Sequence, residues 1–514
     1  MTRTPAELGA GLAPTRTARP IKAGERIHIL GIAGAGASAA AVHARAAGAH
    51  VTGCDPGGPS PYTAALEALG IPIAWSHDPA HIAAARPDRV SVTKALTSIN
   101  PDHPELRAAA GAGIPLEPWQ QLIADAAYGR TLLAVAGTHG KSTTAGWLTW
   151  ILAEIGQDPS AFVGALLPAA LSNGIPSTAR IGRGAFIVEA DEYAGNFDAY
   201  RPDVAILTTA EWDHPDVFAD REAVIDAFVR WLARAEGDAT IVANLDDPGV
   251  VDVVDRLGRT TSRSGSLFGV SVDGGSSSAT SASTPGELVI DDRLTGHIVE
   301  RAPAGTTLEL TGGFTATGQR VRLPTVGDHN ASNALVALAA AWDQAGMAAS
   351  VDRLLIATAS FPGIGRRLER KGEIRGVVVY DDYGHHPTAI RATIAALRQR
   401  EPDRRIWAVY EPLTFHRTAA LLGEFADALA SADAVAIADI WAGRDLDTTI
   451  TSPLAVAAAV RRLRPGIPAE APGSVEDTAA WLAGHVVDGD AVLVMGGGRS
   501  YRIAELLLEH LANR

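Results

Sequence analysis

Residues 137–144, GTHGKSTT, place two glycines, a lysine and several hydroxyl groups directly after the apolar run TLLAVA. In such a loop the amides surround phosphate oxygens, the lysine reaches the terminal phosphates and the serine hydroxyl ligates Mg²⁺. The loop is shortened, because Gly137 stands three residues before Gly140 where the usual loop has five. We therefore predict that it binds ATP or GTP. The residues assigned to this site are Gly137, Thr138, Gly140, Lys141, Ser142 and Thr143.

Acidic and imidazole groups follow two predicted strands further along, in FIVEADEY and TTAEWDHPD. Glu189 ends the first of these strands, and Asp213 and His214 follow the second. The carboxyl ends of parallel strands share one edge of a sheet, so these groups should lie beside the phosphate loop. Oxygen ligands suit Mg²⁺, and one nitrogen is tolerated. The sequence thus predicts a magnesium site formed by Ser142, Glu189 and His214.

A second glycine-rich turn, GIAGAG, lies between a predicted strand and an alanine-rich helix. Gly31, Gly34 and Gly36 permit a tight turn, so amides at the helix start can hold a diphosphate. Asp55 ends the next strand, where ribose or base contacts often lie. The spacing GxxGxG differs from the GxGxxG of dinucleotide enzymes. We predict a nucleotide-diphosphate site in a Rossmann-like unit; the alternative is that the three glycines serve only packing.

Two further stretches carry weaker signals. Asn330 and Asn333 are three residues apart, so they share one helical face and could contact an adenine edge or a ribose. Arg366 and Arg367 in FPGIGRRLE could meet phosphate. Each signal is weak alone, because asparagine also caps helices and arginine usually lies on exposed surfaces.

The stretch VVVYDDYGHHPT has two acids, tyrosines and two histidines at a predicted strand end. Burying so many polar groups is costly unless they are used. Arg417 follows the next strand, and its guanidinium could hold both oxygens of a carboxylate. The alternative for Arg417 is an ordinary surface cation.

These groups can be positioned only if strands and helices alternate. Short strand-like runs do alternate with helical stretches along most of the chain, which is typical of parallel sheets covered on both faces. The predicted strands are RIHILGI, AHVTGCD and DRVSVTK, then TLLAVAG, AFIVEAD, VAILTTA and ATIVANLDD, then GVVVYDD, IWAVYEP, AVAIADI and AVLVMGGG. We predict an α/β protein with a flexible tail at 1–25 and domains at 26–125, 126–350 and 351–514, with a polar excursion at 271–287.

Composition limits the classes of protein. The 514 residues carry a net charge of −14, which argues against non-specific nucleic-acid binding. No stretch approaches the ~20 apolar residues of a membrane helix. The single cysteine, Cys54, rules out an internal disulfide. We expect a cytoplasmic enzyme with no nucleic-acid or membrane partner, acting as a monomer or homodimer.

Taken together, GTHGKSTT, EADEY, EWDHPD, GDHNASNALVA and FPGIGRRLE with DDYGHHPT resemble the Mur ligase family, which builds the peptide of bacterial cell-wall precursors. The likeness runs from residue 26 to the end and is greatest to the alanine-adding members. It implies three domains: an N-terminal Rossmann-like domain for the UDP-substrate, a central P-loop ATPase-type domain and a C-terminal Rossmann-like domain for the amino acid. It also implies an ATP- and Mg²⁺-dependent ligase that joins L-alanine to UDP-N-acetylmuramate through an acyl phosphate.

The resemblance assigns roles to the candidate residues. Lys141, His214, Arg366 and His385 would be catalytic, and Asn330, Asn333 and Arg366 would bind ATP. Gly31, Gly34, Gly36 and Asp55 would bind the UDP-substrate, and Tyr383, His385 and Arg417 the amino acid. Relatives often carry a carbamylated lysine in the central domain, but Lys141 is the only lysine there, as alanine-adding members allow.

Several positions depart from the pattern of the family. Leu413 stands for a histidine, Phe415 for a tyrosine and Ala389 for a glutamate. These changes lie near the positions that contact the substrates, so they affect the prediction of which amino acid is used more than the prediction of the reaction. The alternatives are a recycling ligase that adds a preformed peptide, a related ligase of specialised metabolism, a nicotinamide oxidoreductase built on GIAGAG, and a non-catalytic nucleotide-binding protein.

Overall fold

The computed structural model describes residues 2–260, 264–272, 290–316, 318–443, 445 and 447–514. In these residues the strands form three sheets, which we call the first, central and third units. None of the described helices is long and apolar enough to cross a membrane. The polar excursion predicted at 271–287 lies outside the described residues, apart from the first two, which end a strand of the central sheet.

The first unit holds a parallel sheet with the GIAGAG turn at the carboxyl end of its middle strand. Its elements are α1 (Pro5–Leu8), β1 (Arg26–Leu30), α2 (Ala35–Ala46), β2 (His50–Cys54), α3 (Ala64–Ala68), β3 (Ile73–Ala74), α4 (Ala80–Ala85), β4 (Arg89–Val92), α5 (Lys94–Ile99), α6 (Pro104–Gly111), β5 (Leu116–Pro118) and α7 (Trp119–Ala126). The strand order is β3-β2-β1-β4-β5. The order reverses beside β1, and ligands of such sheets bind at that reversal.

The N-terminal segment corrects the expectation of a flexible tail. Leu8 of α1 is fully buried and packs against Tyr193 of the central unit. Arg16 pairs with Asp125 at 2.7 Å, and Asp125 is itself buried. Burial of a leucine side chain contributes about 1.5–3 kcal/mol, so this segment is held in place. Its composition concealed this because its partners lie far away in the sequence.

The central unit is a mixed sheet that carries the phosphate loop. Its elements are β6 (Leu132–Ala136), α8 (Lys141–Glu154), β7 (Ser160–Leu167), β8 (Ser177–Arg180), β9 (Phe186–Ala190), β10 (Val204–Leu207), α9 (Arg221–Leu232), β11 (Thr240–Asn244), α10 (Pro248–Thr260), β12 (Leu267–Val272), β13 (Asp292–Ala302), β14 (Gly305–Gly312), β15 (Gln319–Leu323), α11 (Asp328–Ala345) and α12 (Val351–Ala359). The order is β15-β14-β13-β12-β11-β10-β6-β9-β7-β8, with β6 parallel to both β10 and β9.

Helix α12 belongs with the central unit, although we assigned it to the third domain. The indole of Trp147 in α8 donates to the carbonyl of Thr358 at 3.0 Å and stacks on Phe361 with 4.5 Å between ring centroids. Helix spacing alone could not reveal which sheet this helix covers.

The third unit is a parallel sheet with one antiparallel edge strand. Its elements are β16 (Glu369–Ile374), β17 (Val377–Asp382), α13 (Pro387–Arg400), β18 (Arg405–Glu411), α14 (Phe415–Ala420), α15 (Leu422–Leu429), β19 (Ala434–Ala438), α16 (Pro453–Leu463), β20 (Ala469–Gly473), α17 (Val475–His485), β21 (Asp490–Gly496) and α18 (Tyr501–Ala512). The order is β16-β17-β21-β18-β19-β20, and β16 is the antiparallel strand. Each strand predicted from the sequence is a strand in the structure, and the α/β fold is confirmed.

The first and central units meet at a buried histidine. Nε2 of His43 in α2 donates to the carbonyl of Ala161 in β7 at 3.0 Å, and the ring packs on Phe186. Burial lowers the pKa of His43 to about 4. The imidazole is therefore neutral at pH 7.

We expect His43 to make the stability of the folded protein depend on pH. Its pKa is lower in the folded chain than the ordinary 6.5 or so, so only the unfolded chain takes up the proton as pH falls below 6.5. Stability is complete above that pH and falls by about 2 kcal/mol between pH 7 and pH 5. His43→Gln, which can keep the donor, should flatten this slope in urea unfolding. The exposed His50→Gln is the control, and equal slopes in all three proteins would contradict the assignment.

Candidate active site

The phosphate loop joins β6 to α8 through two glycines with positive φ. Gly137 has φ 148° and Gly140 has φ 81°. A Cβ on Gly140 would lie 2.4 Å from Oδ1 of Asn333 in α11. Only glycine therefore fits at this position, and the loop presents the N-terminus of α8, a favourable place for phosphate.

Lys141 lies in an acidic environment at the start of α8. Its Nζ donates to the carbonyl of Gly137 at 2.5 Å and pairs with Glu192 at 3.1 Å and Asp191 at 3.9 Å. Burial alone would lower the pKa of Lys141, but these carboxylates outweigh burial and hold it above its ordinary value. The ammonium is therefore charged at neutral pH and is suited to neutralise a phosphoryl group.

Thr138 supports the loop from behind. Its amide donates to the carbonyl of Thr209 at 3.0 Å. Its hydroxyl donates to the carbonyl of Glu211 at 3.0 Å and accepts the Glu211 amide at 2.9 Å. Both polar groups of Thr138 thus have partners within the chain, and its role in ATP binding stays a prediction. Thr143 is buried in the first turn of α8, and its role stays a prediction.

Ser142 connects the loop to the third unit. Its hydroxyl donates to Oε1 of Glu189 at 3.0 Å and accepts from Nη2 of Arg367 at 2.7 Å. The other oxygen of Glu189 accepts the Gly164 amide at 2.6 Å. The hydroxyl and the carboxylate predicted to hold Mg²⁺ are therefore adjacent, with an arginine beside them.

His214 lies in a different group of donors. Asp191, Glu192 and His214 each place one ligand atom within 4.8 Å of the others. The backbone of His214 is left-handed, with φ 57°, a conformation that costs a non-glycine residue about 1–3 kcal/mol. Two oxygen donors with one imidazole suit a divalent cation, and so does the pair of Ser142 with Glu189. The structure thus divides the predicted metal ligands between two neighbouring groups, and Asp191 and Glu192 of EADEY were not predicted from the sequence.

A third cluster of ionisable side chains was also not predicted from the sequence. Nε2 of His139 lies 2.9 Å from Oε2 of Glu211, and His386 lies 3.7 Å from the same oxygen. The two rings are stacked obliquely with centroids 4.6 Å apart. Burial would raise the pKa of Glu211, but hydrogen bonding with His139 lowers it to about 2. The presence of His139 inside the phosphate loop was the available signal.

Arg417 is buried between the central and third units. Its Nη2 lies 2.8 Å from Oδ1 of Asp213 and donates to Nδ1 of His214 at 2.9 Å. Burial would raise the pKa of Asp213, but Arg417 keeps it well below its ordinary range. Nη1 of Arg417 is buried and has no hydrogen-bond partner within the described chain. Arg417 is therefore not a surface cation, and it retains a free donor for a ligand.

Tyr383 and His385 stand together in the loop after β17. Their rings meet edge to face with centroids 5.2 Å apart, and Nδ1 of His385 donates to the Tyr383 carbonyl at 2.9 Å. Burial and the nearby Arg417 hold the pKa of His385 well below its ordinary value. The imidazole is therefore neutral, with Nε2 as its hydrogen-bond acceptor. Leu413 lies close by, because a Cβ on Gly497 would be 3.0 Å from Leu413 and 3.6 Å from Tyr383.

Arg366 is anchored inside the third unit. It pairs with Asp381 at 3.1 Å and donates to the Gly496 carbonyl and the Ser500 hydroxyl, both at 2.8 Å. The residue that reaches the phosphate loop is its neighbour Arg367. The dipeptide Arg-Arg offered both candidates, and only the packing distinguishes them.

A cavity of about 640 Å³ lies where the three units meet. Tyr62, Asn330 and Arg367 line it, one from each unit. Nδ2 of Asn330 donates to the Val326 carbonyl at 2.8 Å, and Asn333 lies behind it, 3.4 Å from Oδ1 of Asn330. The two asparagines do share one side of α11, and Asn330 is the one that faces the cavity.

The GIAGAG turn is stabilised by Asp55. Gly31 has φ 77°, and Gly34 is the N-cap of α2. Oδ2 of Asp55 accepts the Ala33 amide at 3.1 Å, so this carboxylate holds the turn. A Cβ on Gly36 would lie 2.2 Å from the Trp119 ring, so Gly36 is required for packing. The packing alternative therefore holds for Gly36, and binding of the UDP-substrate by Gly31 and Gly34 stays a prediction.

Family models match nearly the whole chain. Residues 26–131 match the Mur ligase family catalytic domain, residues 135–341 the Mur ligase middle domain, and residues 366–498 the Mur ligase glutamate ligase domain. UDP-N-acetylmuramate–L-alanine ligase of Roseiflexus sp. (strain RS-1) is 35% identical over 94% of this chain and 98% of the relative. The enzyme of that name from Kineococcus radiotolerans is 36% identical over 95% and 97% of the two chains.

Solved structures agree on the architecture. The UDP-N-acetylmuramate–alanine ligase of Thermotoga maritima has a TM-score of 0.73 at 22% identity and covers 95% of this chain and 99% of its own. A murein peptide ligase of Psychrobacter arcticus 273-4 has a TM-score of 0.69 at 26% identity and covers 96% and 99%. The sequence motifs, the three-unit fold and the matching models agree: the chain belongs to the Mur ligase family.

Proposed function

We propose that this protein is an ATP-dependent ligase that joins L-alanine to the carboxylate of UDP-N-acetylmuramate in peptidoglycan precursor synthesis. The observation that carries this proposal is the contact between Arg367 and Ser142, which places a cation of the third unit on the phosphate loop. Arg417, with its free donor, lies between the same two units. Phosphoryl transfer and capture of an amino acid can therefore take place at one interface.

The proposed reaction has two steps. A carboxylate oxygen of the nucleotide sugar attacks the γ-phosphorus of ATP, the bond to the ADP oxygen breaks, and an acyl phosphate forms. The amine of L-alanine then attacks the carbonyl carbon, the bond to phosphate breaks, and the amine proton passes to the departing phosphate. The first step is needed because a carboxylate is a poor electrophile, and phosphate is a far better leaving group than oxide.

The residues of the central unit would stabilise charge in the first step. Lys141 and Arg367 would neutralise the transferring group, with their positions fixed before the reaction. Ser142 with Glu189, and His214 with Asp191 and Glu192, would hold Mg²⁺, which supplies further positive charge to the phosphates.

The two other substrates would bind to the first and third units. The UDP portion would lie on Gly31 and Gly34, and the alanine carboxylate on Nη1 of Arg417. His385, held neutral, would accept a hydrogen bond from the amine and orient it beside Tyr383. Because the reaction consumes ATP, we place it in the cytoplasm.

A recycling ligase is the second candidate, because a murein peptide ligase shares the fold at 26% identity. Relatives named for alanine addition are more similar, at 35–36%. This higher identity favours alanine.

We expect L-alanine to give the fastest phosphate release with ATP and UDP-N-acetylmuramate. Glycine should be slower, because a methyl group in an apolar pocket contributes ~1–3 kcal/mol, or about 10–200-fold in kcat/KM. L-Serine should also be slower. The measurement is phosphate release with each amino acid and with a preformed tripeptide that has a free amino terminus, in turn. A tripeptide that outperforms L-alanine would replace this proposal with the recycling activity.

A further inference from the structure

A compact cluster of metal-binding side chains lies in the first unit, outside the site described above. It consists of His28, Cys54, His81 and Glu105, which we call the His-Cys-His-Glu cluster. One ligand atom of each lies within 4.8 Å of those of the others. Cys54 is the only cysteine of the chain. None of these four side chains has a role in the proposed reaction.

The topology of the first unit brings the four side chains together. Cys54 at the end of β2 lies in register with Leu30 of β1, and His28 precedes Leu30 by two residues, so all three point to one face of the sheet. Helices α4 and α6 cover that face. His81 is the second residue of α4, and Glu105 is the second residue of α6.

The cluster concentrates donors of the kinds that bind zinc. The Cys54 thiol donates to Oε2 of Glu105 at 3.0 Å, and Oε1 of Glu105 lies 3.0 Å from Nδ1 of His81. Cys54 and Glu105 have no exposed surface. Oε1 of Glu105 also accepts the Asp78 amide, and a carboxylate so deeply buried needs such donors or a cation to offset the cost of its desolvation.

His28 gives separate evidence that the cluster binds a metal. The residue is only 2% exposed, and its Nδ1 lies 2.8 Å from the Thr52 hydroxyl. Its Nε2 is buried and has no hydrogen-bond partner in the part of the chain that the structure describes. Buried polar atoms of native proteins are almost always paired. A ring fixed at one nitrogen and open at the other is the arrangement of a metal-bound histidine with its supporting hydrogen bond.

We propose that the His-Cys-His-Glu cluster is a structural zinc site. A thiolate, two imidazoles and a carboxylate form a closed four-ligand set, the kind that binds structural Zn²⁺. The two negative ligands neutralise the ion, four metal–ligand bonds form, and the thiol proton is released to solvent. Zinc–ligand bonds of about 2.0–2.3 Å place the ligand atoms of a tetrahedral site about 3.3–3.8 Å apart, which lies between the 3.0 Å and 4.8 Å separations of the cluster.

The site lies directly beneath the GIAGAG turn. The Cys54 carbonyl accepts the amides of Gly31 at 2.9 Å and Ile32 at 3.3 Å. A metal bound to the Cys54 side chain would therefore fix the strand end on which this turn is built, and it would stabilise the first unit in its folded form.

Cobalt provides a direct test on the full-length protein. The chain is stripped with a chelator under reducing conditions and titrated with CoCl₂, which substitutes for zinc and gives a thiolate-to-cobalt charge-transfer band. Because Cys54 is the only cysteine, such a band reports this site and neither the Asp191 group nor the His139 group. We expect the band to saturate at one equivalent, ZnCl₂ to abolish it, and MgCl₂ to leave it unchanged.

Variants complete the test. Cys54→Ser should lose the band and one equivalent of tightly bound zinc, and Glu105→Gln should weaken zinc binding at least tenfold. His50→Ala, an exposed histidine in the same strand as Cys54, should bind zinc like the wild type. Zinc should raise the Tm of the wild type more than that of Cys54→Ser. A wild-type protein that gives no thiolate band with cobalt would overturn the proposal, as would equal zinc binding by a folded Cys54→Ser protein.

Discussion

Replacing Lys141 by methionine is expected to lower kcat by ~10³-fold or more, because the variant lacks the cation that follows Gly140 in the phosphate loop. Methionine keeps most of the volume of the side chain and removes only the charge. Lys141 is held protonated by Glu192 and Asp191, so the charge lost is a full one. The measurement is phosphate release from ATP with saturating UDP-N-acetylmuramate and L-alanine.

Stability must be measured alongside, since the change leaves Glu192 buried without its partner. Breaking a buried pair in this way costs about 3–5 kcal/mol, so thermal unfolding and calorimetric binding of UDP-N-acetylmuramate are needed to show that the variant is folded. The exposed Lys22→Met serves as the control and should be as active as the wild type. Near-normal turnover by a folded Lys141→Met protein would remove the basis for placing ATP on this loop.

The fold could be predicted from the sequence because the information is local. Apolar runs such as LLAVA and AVLVM lie wholly within buried strands, and the helices between them can only pack on the two faces of a parallel sheet. Where the outcome depended on distant partners, the sequence misled. Leu8 needed Tyr193 before its segment could be recognised as ordered, and α12 needed Trp147.

In the candidate site, too, local features could be predicted from the sequence and distant contacts could not. The loop residues Gly140, Lys141 and Ser142 were predicted from spacing within a single turn, and the structure places them together at the start of α8. The residues that contact this loop from other units were not predicted, because sequence order does not show which of two adjacent side chains crosses a domain interface. Nothing in the structure explains why Ala389 stands in the place of the family's glutamate.

Arg366 and Arg367 are neighbours in sequence and, in the structure, face different surroundings. Arg366 is tied to Asp381, and burial raises the pKa of that carboxyl to about 6 even with Arg366 opposing the rise. The guanidinium carbons of both arginines lie 5.0 Å from the centroid of the Tyr383 ring, but it is Arg367 that donates to Ser142. Arg366 therefore stabilises the third unit, and we expect Arg367 to be the arginine that reaches the phosphates.

We expect Arg367→Ala to lower kcat by ~10²–10³-fold, the usual cost of removing one donor that stabilises charge in the transition state, while Tm stays close to that of the wild type. Arg366→Ala should mainly reduce stability. We expect its free energy of unfolding to fall by about 3–5 kcal/mol, because Asp381 is left buried and unpaired. Arg367→Lys, which keeps the charge and loses the planar fork, should fall between the wild type and Arg367→Ala. The exposed Arg370→Ala is the matched control from the same segment. If Arg366→Ala instead loses turnover at unchanged Tm while Arg367→Ala stays active, the assignment from sequence was right and the contact with Ser142 is incidental.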